Sequence, residues 1–238
     1  MPTQHHRRLT RQLELSLICT VLTLISVTGV AQADEISVWN FNDSDLVVDH
    51  GNGTLSSNFN VTNIQFAAGT TNNARLGDPA GQALSLQGGT SNANNGRNIT
   101  FNLSTLGFSD IVVSFATQGT STGFNSNQFQ YSLDGITFVD FGSPYVPATV
   151  FGSVPVIFSL IGIAGLNDNP NAAFRIVFNG ATSSTGNNRI DNFIVEGSTT
   201  TIPEPTTALL LATGLTGLIG LKRRRKEAGS KPGSPACD

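Results

Sequence analysis

The sequence predicts an all-β protein, a jelly-roll-like β-sandwich, over residues 34–200. Three observations carry that prediction. About ten short runs rich in β-branched and aromatic residues are set off by clusters of Gly, Asn, Ser and Thr. Several runs alternate strictly, with Ile99, Phe101 and Leu103 on one face, as are Phe129, Tyr131 and Leu133, and Phe174, Ile176 and Phe178; these faces are expected to point inward. A helical period is almost absent from the region. Long Gly- and Asn-rich loops at 88–97 and 119–127 favour a sandwich over a tight barrel. No internal repeat is present.

In chain order, the first strand is expected at 36–42, where Trp39 alternates with Phe41 and so reads as core. Further strands follow at 60–66, 83–87 and 98–103. Residues 111–118 begin with a stretch that is apolar on both faces, which suggests a central strand. Strands at 128–133 and 137–141 are joined through Asp134-Gly135, a strong two-residue hairpin signal. The remaining strands are expected at 154–159, 173–179 and 189–196. The region is long enough for one domain with a substantial core.

The two ends have a different character. Residues 1–33 read as a secretory signal. Arg7, Arg8 and Arg11 precede an apolar segment at 13–30, and Ala31-Gln32-Ala33 supplies an A-x-A cleavage site. The mature chain is then expected to begin at Asp34; an uncleaved N-terminal anchor is the alternative. The residues after Arg7-Arg8 fit twin-arginine export poorly, which favours the general secretion translocase. At the other end, residues 201–226 hold Pro203-Glu204-Pro205, an uncharged run at 206–221, and the basic block Lys222, Arg223, Arg224, Arg225 and Lys226. The run would make a helix of roughly 24 Å at about 1.5 Å per residue, short of the ~20 residues a spanning helix usually needs. Bilayer thinning and snorkelling of the flanking cations allow such a span to insert. The basic block would hold the C-terminus in the cytoplasm. The prolines would keep the acidic tripeptide extended just outside the membrane, in a shape a protease can grip. An ordinary single-pass anchor is the plainer reading of the same residues.

That three-part order resembles the PEP-CTERM sorting domain of Gram-negative bacteria. The resemblance covers about a tenth of the chain. It implies processing near Pro203-Glu204-Pro205 by exosortase, a membrane-embedded cysteine transpeptidase. It also implies a precursor in the inner membrane and a mature protein that is secreted or held at the cell surface. The polar segment at 227–238 departs from the family pattern, which usually stops soon after the basic block. Separately, FQYSLDGITFVDF (129–141) and RIDNFIVEG (189–197) resemble strands of secreted β-sandwich modules that accompany polysaccharide-active proteins. This second resemblance raises a carbohydrate-binding jelly roll and an extracellular polysaccharide partner as an analogy.

Charge and chemistry narrow the function. Residues 34–200 carry twelve acidic residues against four arginines, Arg75, Arg97, Arg175 and Arg189, a net charge of −8. Such a surface argues against nucleic-acid binding and is compatible with Ca²⁺. Both cysteines, Cys19 and Cys237, lie in the ends, so no disulfide is expected in the domain. His50 is the one histidine there, sits in a turn-like stretch, and lacks the partners of a nucleophilic triad or zinc site. Asp134 with Asp140, and Glu35 with Glu196, are the carboxylates to weigh for glycoside hydrolysis; Asp134 is already committed to a turn and Glu35 lies at the new N-terminus. No enzymatic activity is expected. Asp43 and Asp45 after the first strand, with Asp191 in the last, form a candidate calcium site if the terminal strands are neighbours. Their plainer role is turn formation and backbone hydrogen bonding. Tyr145, in the loop 142–147, is the candidate ligand contact. The leading function class is a non-catalytic exported component of the cell surface or exopolysaccharide matrix. A lectin-like module and a secreted polysaccharide hydrolase are the alternatives.

Overall fold

The computed structural model describes residues 33–199. Ala31, Pro203, Glu204, Pro205 and the block 222–226 lie outside the described residues, and with them the predicted signal, sorting and tail segments; Ala33 opens the first strand. Twelve strands are described: β1 (Ala33–Trp39), β2 (His50–Gly51), β3 (Thr54–Ser57), β4 (Ile64–Ala68), β5 (Gln82–Gln87), β6 (Arg97–Leu103), β7 (Phe108–Gly119), β8 (Ser126–Ser132), β9 (Phe138–Asp140), β10 (Val156–Ser159), β11 (Ala172–Asn179) and β12 (Asn187–Thr199). They form a β-sandwich of two antiparallel sheets. One has seven strands in the order β10-β7-β12-β1-β2, with β5 also on β12 and β4 on β5; the other has five, in the order β3-β6-β11-β8-β9.

The organising strand is β12, 13 residues long. One edge pairs with β7 along its length. The other edge is shared: Asn187–Ile190 face β5, and Phe193–Ser198 face β1. The change of partner falls at Asp191-Asn192, where the register with β7 slips and Asn192 adopts φ 49°. A bulge of this kind re-aims side chains, and here it turns two polar ones toward a loop described below.

The core lies between the sheets and is unusually aromatic. Phe101 of the five-stranded sheet stacks on Phe193 of the seven-stranded one at 3.5 Å between centroids. Phe129 stacks on Phe158 at 4.0 Å in the same way. Trp39 meets Phe101 edge-on at 5.0 Å and Phe193 at 6.1 Å. Each such pair adds about 0.5–1.5 kcal/mol beyond its buried area, which helps a domain with no disulfide to hold together.

All ten predicted strands are present, with shifted ends. Three local readings need correction. The β8–β9 connection is no two-residue turn: Ser132 pairs with Phe138, leaving a five-residue loop at 133–137. Its Asp134 carboxylate accepts bonds from the Ile136 amide (2.9 Å), the Thr137 amide (2.7 Å) and the Thr137 hydroxyl (2.9 Å). That Asx-type capture closes a wider loop than Asp-Gly alone implies. Leu133, expected in the core, falls in this loop and is exposed. β1 ends at Trp39, and Phe41 reaches the core from φ 55° rather than by alternation. β2 and β3 were not foreseen, since their few residues carry hardly any apolar pattern.

Candidate functional site

The two outer faces of the sandwich differ. Over the seven-stranded sheet, the segment 69–75 lies across β12 and β7. Asp191 accepts hydrogen bonds from the amides of Thr70 (2.7 Å) and Asn192 (2.9 Å). The Asn192 side chain donates to the carbonyls of Thr70 (2.8 Å) and Asn72 (2.9 Å). Asn73 donates to the Asn192 carbonyl (2.8 Å) and to Ser114 Oγ on β7 (3.1 Å). Asp191, Asn192 and Ser114 are all buried, so the middle of this face is covered by the segment 69–75 and these three polar side chains are occupied. Burial pushes the Asp191 carboxyl up to about 7, against the two amide bonds that favour its charge.

The five-stranded sheet is built differently. Ile99, Phe101, Phe129, Phe174, Ile176 and Phe178 point into the core, so their sequence neighbours point out. Register then aligns the outward residues in rows across the strands. One row runs Ser56, Thr100, Arg175, Gln130, Asp140, crossing all five strands. The next runs Thr54, Asn102, Ala173, Ser132, Phe138. With strands about 4.8 Å apart, each row spans roughly 19 Å.

Arg175 is the centre of this face. Its guanidinium lies 3.3 Å above the Phe138 ring, and its Nε donates to Thr100 Oγ1 at 3.0 Å. Half-buried, it has its pKa lowered by loss of hydration. On the far side of the row, Gln130 Nε2 donates to Asp140 Oδ1 at 2.8 Å, which leaves the amide oxygen as an acceptor. Asn102 leads from this face into a hollow of about 300 Å³ at the end of the sandwich, lined also by Ser104, Asp134, Gly135, Pro170 and Asn171. The arrangement offers hydroxyl, amide, carboxylate and guanidinium groups on a rigid sheet, a set suited to a polyhydroxylated ligand. The strand alternation marked which residues face outward, but only the register shows that Ser56, Thr100, Arg175, Gln130 and Asp140 form one row.

The residues singled out in the sequence fall elsewhere. Tyr145 pairs with Asn127 through its backbone at the end of β8. Its ring packs near Phe115 (5.9 Å) and Phe158 (6.2 Å), and its hydroxyl is buried without a partner. Burial pushes that hydroxyl's pKa up. It is an inward-facing residue and not a surface contact. The first and last strands are neighbours as supposed, yet Asp43, Asp45 and Asp191 form no metal cage: among the described residues no group of three or more His, Cys, Asp or Glu is placed to hold an ion. Asp45 bonds the Val47 amide at 2.7 Å as a turn residue. Asp43 and Asp45 instead flank Asp49, whose carboxyl is raised by burial, with their repulsion adding to it. Trp39 is fully buried. Asp134 and Asp140 serve the loop and the row. Glu35 and Glu196 stand opposite one another on β1 and β12; Glu196 is raised by burial and by Glu35. Arg75 binds Glu35 at 2.6 Å and contacts His50 Nε2 at 3.3 Å.

No family model matches the chain, and no curated protein matches it. Among solved structures, the chain is similar to the CBM22-1 xylan-binding domain of Xyn10C from Paenibacillus barcinonensis, at 11% identity over 72% of this chain and 99% of that one, with a TM-score of 0.43. It is also similar to domain 4 of AbnA, an extracellular arabinanase of Geobacillus stearothermophilus in complex with arabinotriose, at 14% identity over 71% and 94%, with a TM-score of 0.43. A third is TmCBM61 in complex with β-1,4-galactotriose, at 10% identity over 66% and 92%, with a TM-score of 0.40.

Proposed function

We propose that the chain is an exported, non-catalytic glycan-binding protein of the cell surface or extracellular matrix, and that the outer face of the five-stranded sheet is its binding surface. The row Ser56, Thr100, Arg175, Gln130, Asp140 carries this reading. Sugars present hydroxyls that both donate and accept, and this row sets Ser56, Arg175, Gln130 and Asp140 across one rigid surface, with buried Thr100 holding Arg175. The middle of the opposite face is covered by the segment 69–75, which takes up the side chains of Asp191, Asn192 and Ser114. Export rests on the sequence of the two ends: a cleavable signal before Asp34, and the tail built on Pro203-Glu204-Pro205 and Lys222–Lys226 as a sorting signal read by an exosortase-like transpeptidase.

The test is retention of the purified chain in native gels cast with a panel of soluble polysaccharides. At least one polymer should retard the protein, and Gln130→Ala should weaken that retardation about tenfold, as expected for loss of a ligand-facing hydrogen bond or two. Retardation that survives both Gln130→Ala and Ser56→Ala would move the site off this face. No retardation by any polymer would return the protein to a structural role in the matrix, and depolymerisation of one would make it a hydrolase.

A further inference from the structure

The domain has four arginines, and three of them have evident structural work. Arg75 binds Glu35. Arg97 donates from Nη1 to the Asn58 carbonyl at 2.9 Å, and Arg189 donates from Nη1 to the Ala68 carbonyl at 3.1 Å. Arg175 differs. Only its Nε is engaged, by Thr100. Among the described residues no carboxylate forms an ion pair with it, the Arg75–Glu35 pair being the salt bridge found there. Among the described residues its two terminal amino groups have no protein acceptor. A half-buried cation without a counter-charge loses hydration that a bound anion would return. The acid of its row, Asp140, lies on β9 with Phe138, makes no ion pair with Arg175 and is held by Gln130.

The surroundings also fix the orientation of the guanidinium. Its plane is set by the Phe138 ring beneath it, and one edge is set by the bond to Thr100. What remains is a pair of donors in a rigid fork, the shape that matches a two-oxygen anion bidentately.

We propose that Arg175 is an anion receptor at the centre of the glycan-binding face, and that the ligand is an acidic polysaccharide whose uronate carboxylate seats on its two terminal nitrogens. The inference rests on the glycan-binding reading given above and names the ligand class for that same face. Neighbouring Ser56 and Gln130 would meet the ring hydroxyls flanking the carboxylate. The shifted pKa of Arg175 agrees with a desolvated cation lacking a counter-charge. The overall negative charge of the domain opposes a polyanion, but beyond about 8–10 Å at physiological salt that repulsion is largely screened.

The purified chain is tested for retardation by polygalacturonate, by the same polymer after reduction of its carboxyls to alcohols, by dextran sulfate and by dextran. The wild type should bind polygalacturonate at least tenfold tighter than the reduced form. Arg175→Gln, which keeps donors but loses charge, should remove that preference, so that the acidic and reduced polymers bind this variant alike. Arg175→Lys, which keeps charge but loses the fork, should fall between. Emission of Trp39 confirms that each variant is folded. Equal retention of the acidic and reduced polymers, or a preference that survives Arg175→Gln, overturns the receptor while leaving glycan binding intact. Dextran sulfate bound tighter than polygalacturonate overturns the carboxylate assignment in favour of a sulfate ester. Retention by none of the four polymers, or by all of them undiminished in Gln130→Ala, overturns the inference together with the reading it rests on.

Discussion

Asp191 gives the sharpest test of how the fold holds its roofed face. The perturbation is Asp191→Asn. In the folded chain burial raises the carboxyl from 3.8 to about 7. The native state therefore holds a proton that the unfolded chain has released between those values, and stability falls as pH rises through that window. A group with a raised folded pKa contributes fully below its unfolded value and loses that contribution by the folded one. Roughly three units at about 1.4 kcal/mol each give a loss of about 4 kcal/mol between pH 4 and pH 8. Asparagine cannot ionise, so it removes this loss. It also replaces one carboxyl oxygen by a donor, leaving the Thr70 or Asn192 amide without its acceptor at a cost of about 1–3 kcal/mol. The two effects oppose each other. Near pH 4 the variant should be less stable by about 1–3 kcal/mol; near pH 8 it should be more stable by a similar amount, with the curves crossing near pH 5 to 6. Urea unfolding at half-unit pH steps measures this directly. Trp39, the single tryptophan and fully buried between the sheets, supplies the signal. Asp49 and Glu196 shift in the same direction but are common to both proteins and cancel in the difference. Parallel curves with no crossing would show that Asp191 is ionised across the range and that the loop 69–75 is held by its charge.

Three further outcomes are expected. Asp134 is held well below the usual carboxylate range by the amides of Thr137 and Ile136, so its contribution is present above about pH 4 and is lost on acidification; Asp134→Ala should flatten the acid limb of the stability profile and speed amide exchange at Ile136 and Thr137. Phe193→Ala removes the ring shared by Phe101, Trp39 and Phe115 and should cost about 3–5 kcal/mol in urea unfolding. Replacement of Glu204, or deletion of residues 222–226, should leave an unprocessed precursor in the membrane fraction, seen by intact-mass measurement as a retained C-terminus.

Much of the architecture was legible because its code is local. Alternation at Ile99, Phe101 and Leu103, and at Phe174, Ile176 and Phe178, depends only on the two-residue period of a strand, and it told which side chains face the core. What could not be read is set by long-range register. Ser56, Thr100, Arg175, Gln130 and Asp140 are scattered over 120 positions of sequence, and nothing local says that they align. Asp191 reads as a metal ligand because neighbouring terminal strands would bring it to Asp43 and Asp45; its use is fixed by the bulge that turns it under Thr70, a partner 121 residues away. Tyr145 misled for a related reason. Its Pro- and Gly-flanked loop reads as surface, but a backbone bridge to Asn127 draws the ring inward against Phe115 and Phe158.

That inward ring yields a last prediction, one that separates packing from recognition. The Tyr145 hydroxyl is buried with no hydrogen-bond partner, and an unpaired buried hydroxyl carries a desolvation cost of about 1–3 kcal/mol. Tyr145→Phe removes the hydroxyl and keeps the ring, so it should leave stability unchanged or raise it by about 1 kcal/mol. Tyr145→Ala loses the contacts with Phe115 and Phe158 and should destabilise by several times as much, roughly 3 kcal/mol. Neither should alter glycan retardation once folding is matched, because the aromatic on the proposed binding face is Phe138, beneath Arg175. If Tyr145→Phe weakened retardation at full stability, its hydroxyl would have to reach the ligand. The surface loop 142–147, and not the five-stranded sheet, would then be the recognition element.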